Sequence, residues 1–400
     1  MPRFLKKIDN QLFAFPIFLL LYGIVTYSIL NRYNLNPTAM INFGMEFALQ
    51  NKDDMPGNAI VQLGSKDDLG AGYDGQIFYF YSRTISKIST NWPKGFDESY
   101  RAPRIGYPLL IALFGFISKN FAVYGMYILN IGLFYLSYLA LRSLLSDENK
   151  YLALFYLFSP FSLGSYSVLV SDSVMASLVI FAYYFYMREK YLLFIISASL
   201  AILTKEPSLF LFFPLGIKTL TERNFKKAII IASILVIPVL WHAYLRYTFP
   251  NWKATRLADF IQPLEGILAY FKVLIDSVNS SGNIKDTARI LSRLPLFILL
   301  IIGIIAIFHG NIRKGYIFRL GLAFTFFMIS AASYYHFWSV YENVSRMFTI
   351  SIPMIILLKE EDESASITIA YLALSFFILI LFLLKVIYIQ KAQDYTLWGL

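Results

Sequence analysis

With 400 residues, 58% of them hydrophobic and only 15% charged, the chain departs from a water-soluble globular protein, in which about a quarter of residues carry charge. A mean hydropathy of +0.58 fits an all-α polytopic membrane protein, and the 37 Phe, 29 Tyr and 5 Trp suit a chain that meets lipid and its interfaces. The lack of cysteine excludes disulfide frameworks, thiolate metal sites and thiol nucleophiles, and the net charge of +10 sits in short Lys and Arg clusters between apolar runs. That pattern reads as membrane topology, not as affinity for nucleic acid.

The first apolar window, residues 11–31, follows Met-Pro-Arg-Phe-Leu-Lys-Lys, which places the amino terminus on the cytoplasmic side and predicts a retained first helix with no cleaved signal. Residues 32–104 are then a large external loop, in which the apolar stretches 39–49 and 77–88 are expected as interfacial helices. Segment 105–118 is too short to span and is expected to be a half-embedded external helix. The later apolar windows alternate so that the charged loops 147–150, 188–190, 218–227, 313–319 and 359–363 all fall on the cytoplasmic side. Counting 105–118 as a full span would instead put loop 218–227, with four Lys or Arg in ten residues, outside. The accepted threading has about eleven crossings. Its external regions are 32–104, the turn at Asp172, the break Lys205-Glu206-Pro207, and loops 246–293 and 335–346. The whole chain, 1–400, reads as one integral membrane domain without internal repeats.

The polar residues that would be costly in lipid therefore converge on one face. Gly72-Tyr73-Asp74-Gly75-Gln76 places an acid between two glycines ahead of an aromatic run, which suits either a tight turn or close approach of a substrate. Arg101 and Arg104 precede Tyr107-Pro108; arginine's planar fork suits phosphate, and it also anchors lipid headgroups. Asp172, between two serines, could bind an acceptor or cap the following helix. Lys205 and Glu206, before Pro207, are expected either to line a wet site or to compensate one another in a turn. Tyr334 to Trp338 form an aromatic belt with His336 as a sugar contact, and Arg346 opens a late helix. Asp53, Asp54, Asp67 and Asp68 read as solvated loop charges, and the three histidines are too scattered for a metal cluster.

A cytoplasmic amino terminus, one helix, a large external loop with aromatic-Asp-Gly, and a Tyr-Pro entering an apolar helix together resemble the GT-C superfamily of integral membrane glycosyltransferases. Tyr73-Asp74-Gly75 is similar to the element of the GPI mannosyltransferase II group, and Tyr73-Asp74-Gly75-Gln76 to bacterial cell-surface polysaccharide proteins. Ser171-Asp172 and Leu203-Thr204-Lys205-Glu206-Pro207 are similar to elements of the PMT-like bacterial branch, with Glu206 in place of a glycine. The resemblance covers roughly residues 13–214 and implies a GT-C-like bundle using polyprenyl-phosphate sugars.

On that footing the residues permit an inverting displacement. Asp74 would take the acceptor proton, and Lys205, Arg104 and Arg346 would hold the departing phosphate. Tyr73, Gln76, Arg101, Asp172, Glu206 and His336 complete the expected substrate contacts; a divalent cation beside Asp74 stays open. The acceptor would be a cell-surface glycan, lipid or protein, with the protein in a bacterial inner membrane and its active face toward the periplasm. The competing readings are a transporter or flippase for a lipid-linked sugar, and a noncatalytic subunit of a polysaccharide assembly.

Overall fold

Helix α1, Gln11–Leu30, is apolar around its circumference. Ala14, Phe18, Tyr22, Val25 and Ile29 form one buried stripe, whereas Leu12, Leu20 and Tyr27 are each more than 60% exposed. A helix whose outer face is as apolar as its inner one needs lipid around it. The computed structural model describes residues 11–64, 72–249, 262–279 and 284–399; Asp67 and Asp68 lie outside them. Among the described residues, five helical stretches are long and apolar enough to cross a bilayer: Leu12–Tyr33, Lys119–Ser143, Phe225–Thr248, Thr287–Phe308 and Ile367–Ile389. The chain is an all-α membrane protein with a three-stranded strip at one end.

Helix α2, Asp74–Ser86, departs from the expected interfacial helix. Residues from Gly75 to Ser82 are all buried, because four successive aromatic rings each meet a partner on a different side. Phe78 packs on Tyr107 at 5.3 Å, Tyr79 on Phe43 at 5.2 Å, Phe80 on Phe47 at 5.2 Å, and Tyr81 on Phe96 at 5.0 Å. Stretch 39–49 also turns inward, breaking into the 3₁₀ turn Pro37–Ile41, strand β1 (Phe43–Gly44) and the helix Met45–Gln50. β1 runs parallel to β2 (Ile60–Gln62), which pairs antiparallel with β3 (Tyr395–Leu397) in the register Ile60 to Leu397 and Gln62 to Tyr395. The carboxyl-terminal segment is thereby tied to the first loop.

Helix α3, Gly106–Gly115, has ten residues and so reaches only about 15 Å, half a hydrocarbon core. It packs against α2, against α4 (Lys119–Ser143) and, further along the chain, against the helix Tyr191–Thr204. Helix α5 (Asp172–Met187) is buried continuously from Asp172 to Ile180 and lies against α4 and α6 (Tyr191–Thr204). Gly106 sits so close to α6 that a Cβ would lie 2.7 Å from the Leu200 carbonyl oxygen. Helices α7 (Leu209–Thr221) and α8 (Tyr316–Ser330) flank this core; α9 (Tyr341–Arg346) caps it, and α10 (Ile367–Leu384) returns to β3.

Charge is sorted to the two ends of the bundle. The loops that the sequence assigns to a single face do meet at the end remote from β1–β3. Glu360 accepts from the Ser146 amide at 2.9 Å and Asn149 Nδ2 at 2.8 Å, Lys227 lies 3.5 Å from Glu189, and Arg319 Nη2 donates to Asp362 at 2.6 Å. The last pair is buried on both sides, at 4% and 2% side-chain exposure, and Arg319 also donates to the Lys314 and Ala306 carbonyls. Arg319→Met would strand a buried carboxylate at a cost of about 3–5 kcal/mol. The expected result is a lower thermal midpoint in detergent with ligand binding at the opposite end unchanged.

Candidate active site

Asp74 opens α2, where the helix dipole favours an anion. Its two carboxylate oxygens are held by different arginines: Oδ1 accepts from Arg101 Nη1 at 2.8 Å and Oδ2 from Arg346 Nη2 at 2.8 Å. The flanking glycine serves backbone packing. A Cβ on Gly75 would meet the Ile41 and Val168 carbonyl oxygens at 2.7 and 2.8 Å, so only glycine lets α2 start this close to both segments. Burial alone would raise the Asp74 pKa, but the charges and hydrogen bonds of Arg101 and Arg346 outweigh it and hold the carboxyl well below the usual range. A depressed folded pKa contributes stability above the unfolded value, and that stability is lost only as pH falls through the lower folded one. Asp74 is therefore ionised throughout the physiological range while the arginines stay in place.

Asp172, only 2% exposed, is the first residue of α5. Its carboxylate pairs with Lys205 and lies 3.9 Å from Arg346 Nε, so Arg346 spans both aspartates. The helix-capping role weighed for Asp172 is not found; Ser171 occupies the cap without a side-chain bond. Nor do Lys205 and Glu206 compensate one another. Lys205 has extended backbone, φ −157° and ψ 115°, which sends successive side chains to opposite sides. Lys205 reaches Asp172, while Glu206 accepts from Arg104 Nε at 2.9 and 3.1 Å. Arg104 in turn stacks on Tyr100 at 4.0 Å from the ring centroid, and Arg101 lies 5.0 Å from the same ring.

All of these charged side chains except Glu206 line a cavity of about 110 Å³, closed on its apolar side by Phe78, Met328 and Phe337. It adjoins a second space that shares Asp172, Lys205, Met328 and Arg346 and is otherwise mostly apolar, running past Met175, Phe210 and Phe324 between α7 and α8. A patch of paired charge thus continues into a hydrophobic groove.

Tyr73 stands behind this cavity: its hydroxyl donates to Asn343 and its ring lies 5.3 Å from the Arg346 guanidinium, so it positions Arg346. Gln76 and His336, expected as substrate contacts, are placed elsewhere. Gln76 lies two residues on from Asp74 and so points to the opposite side of the helix. It is fully buried, with Oε1 accepting from the Gly44 amide at 2.9 Å. His336 is exposed beside Tyr335, and its neighbour Phe337 faces the cavity instead. Asp54 is no free loop charge, since Lys87 Nζ lies 2.6 Å from it. Three contributors went unread in the sequence: Tyr100, Asn343 and Asn130. Asn130 is buried in α4, donates to Tyr107 at 2.8 Å and accepts from Ser173, fixing α3 and the start of α5 beneath Asp172. An isolated amide in an otherwise apolar helix was the one signal available for it.

Among the described residues no group of three His, Asp or Glu could hold a metal ion. The nearest carboxylates, Asp74 and Asp172, are already bridged by Arg346. Four cations, Arg101, Arg104, Lys205 and Arg346, face three carboxylates, Asp74, Asp172 and Glu206, leaving one positive charge in excess. Such a donor set fits an anion and does not fit a divalent cation. The chain matches no family model, no curated protein and no solved structure.

Proposed function

We propose that the protein is an inverting glycosyltransferase of GT-C type that moves a sugar from a polyprenyl-phosphate donor to a cell-surface glycan, lipid or protein acceptor. The observation that carries this reading is the continuity of the Asp74–Arg346 cavity with the apolar groove between α7 and α8. A charged headgroup joined to an isoprenoid chain has that shape and polarity. In the accepted threading the short helices α5, α6, α7 and α8, together with segments 151–171 and 347–358, join the five long helices in a bundle of eleven crossings. Pairing of β3 with the first loop fits that odd number, because it returns the carboxyl terminus to the side on which α1 ends. The amino terminus is then cytoplasmic and the site faces the periplasm of a bacterial inner membrane.

In the reaction, the acceptor hydroxyl attacks the anomeric carbon. The bond from that carbon to the phosphate oxygen breaks, a new carbon–oxygen bond forms with inversion, and the hydroxyl proton passes to Asp74. The leaving phosphate keeps the electron pair and gains one negative charge, which Arg101, Lys205, Arg346 and Arg104 stabilise. Charge closes at each stage. The excess positive charge of the cluster offsets the single charge of a phosphodiester donor, and protonation of Asp74 offsets the second charge of the product phosphate.

The groove is tested through chain length. Thr325 lines it, and Thr325→Trp would narrow it. The expected outcome is a KM about tenfold higher for a long-chain polyprenyl-phosphate sugar, which corresponds to about 1.4 kcal/mol of lost binding, with a two-isoprene donor unaffected. An equal effect on both donors would remove the groove from the account.

A further inference from the structure

We infer that Arg101 and Arg346 lock Asp74, and that an entering phosphate unlocks it by taking those same two guanidinium groups. The inference rests on the reading of the cavity as a phosphate site given above and adds an order of events to it. Each Asp74 oxygen is bound by its own arginine at 2.8 Å. Two guanidinium groups so placed stabilise the ionised form of the carboxylate, and it is a weak base until they leave. Both arginines line the cavity, so a phosphate there competes with Asp74 for the same donors.

The surroundings allow that exchange. Arg101 and Arg104 share the ring of Tyr100, and Arg346 lies over Tyr73, so each guanidinium keeps an aromatic face while its donors turn toward a new anion. Arg346 also has Asp172 at 3.9 Å, a second carboxylate that keeps it in the site when it leaves Asp74. Once released, Asp74 is a half-buried carboxylate short of partners, and its partial desolvation then raises its affinity for a proton. Base strength appears only when the donor is in place, which limits transfer of the sugar to water in a half-filled site.

The test is binding of farnesyl phosphate to the purified full-length protein in nanodiscs, by calorimetry, for wild type, Asp74→Asn, Asp74→Ser, Arg346→Met and Asp54→Asn. Asp54 is in the same loop but outside the cavity, so its variant controls for the loss of one negative charge. The lock predicts binding tightened about tenfold or more by either Asp74 substitution, weakened by Arg346→Met, and changed less than threefold by Asp54→Asn. If Arg346→Met weakens binding but the Asp74 variants bind as wild type or more weakly, the lock is overturned and the phosphate site stands. If no variant differs from wild type, the phosphate site itself fails and the lock with it. A structure of the wild type with farnesyl phosphate gives the answer without any variant: at least one of the two Asp74–arginine contacts is open in it, and retention of both overturns the lock.

Discussion

Replacing Asp74 by asparagine is expected to lower the turnover number by roughly 10²- to 10⁴-fold, the range over which a positioned general base contributes. Asparagine keeps the shape of the side chain, but its single oxygen can accept from only one of Arg101 and Arg346, each of which holds its own oxygen of the native carboxylate at 2.8 Å. It cannot take the acceptor proton at any useful pH. The fall should therefore appear in the turnover number while donor binding is retained or strengthened. Steady-state kinetics with a polyprenyl-phosphate sugar, read beside the thermal midpoint of the same preparation, separates loss of the base from loss of the fold. Unchanged turnover would reduce Asp74 to a structural anchor for α2.

The second large effect is expected at Arg346. Its side chain is 13% exposed and contacts both Asp74 and Asp172, and its pKa, which burial lowers, is raised overall by Tyr73 and the two aspartates. Arg346→Met leaves two partly desolvated carboxylates with one fewer cation, at a cost of about 3–5 kcal/mol. It also removes a group that would stabilise the leaving phosphate. We expect a lower thermal midpoint and at least a 10²-fold loss in kcat/KM. Adding Asp74→Asn to Arg346→Met should recover part of the thermal loss and none of the activity. Recovery of activity in the double variant would contradict the roles assigned to both residues.

Much of this arrangement was legible in the chain, for identifiable reasons. Apolar runs and charge clusters carry their own topology, because lipid forbids unpaired charge in its core. The five charged loops consequently meet at one end, and Asp74, Arg101, Arg104, Asp172, Lys205, Glu206 and Arg346 converge at the other. What local reading missed was direction. Lys205 and Glu206 are neighbours in sequence, yet extended backbone turns them to different partners, Asp172 and Arg104. Gln76 adjoins the Asp74 motif but lies on the far side of the helix, against the Gly44 amide. Helix α2 resembles an interfacial helix by composition. Its burial is decided by rings far away in sequence, Tyr107 and Phe43 among them, that no local pattern announces.

The most direct measurement places purified protein in liposomes with a polyprenyl-phosphate sugar labelled in the sugar and a membrane extract as acceptor source. Both the chemical fate and the membrane leaflet of the label are followed. The account predicts that label passes to acceptor with release of equimolar polyprenyl phosphate, and that Asp74→Asn stops both. Movement of intact donor between leaflets, with the sugar–phosphate bond unbroken and Asp74→Asn equally active, would contradict it and identify a lipid-linked sugar transporter instead.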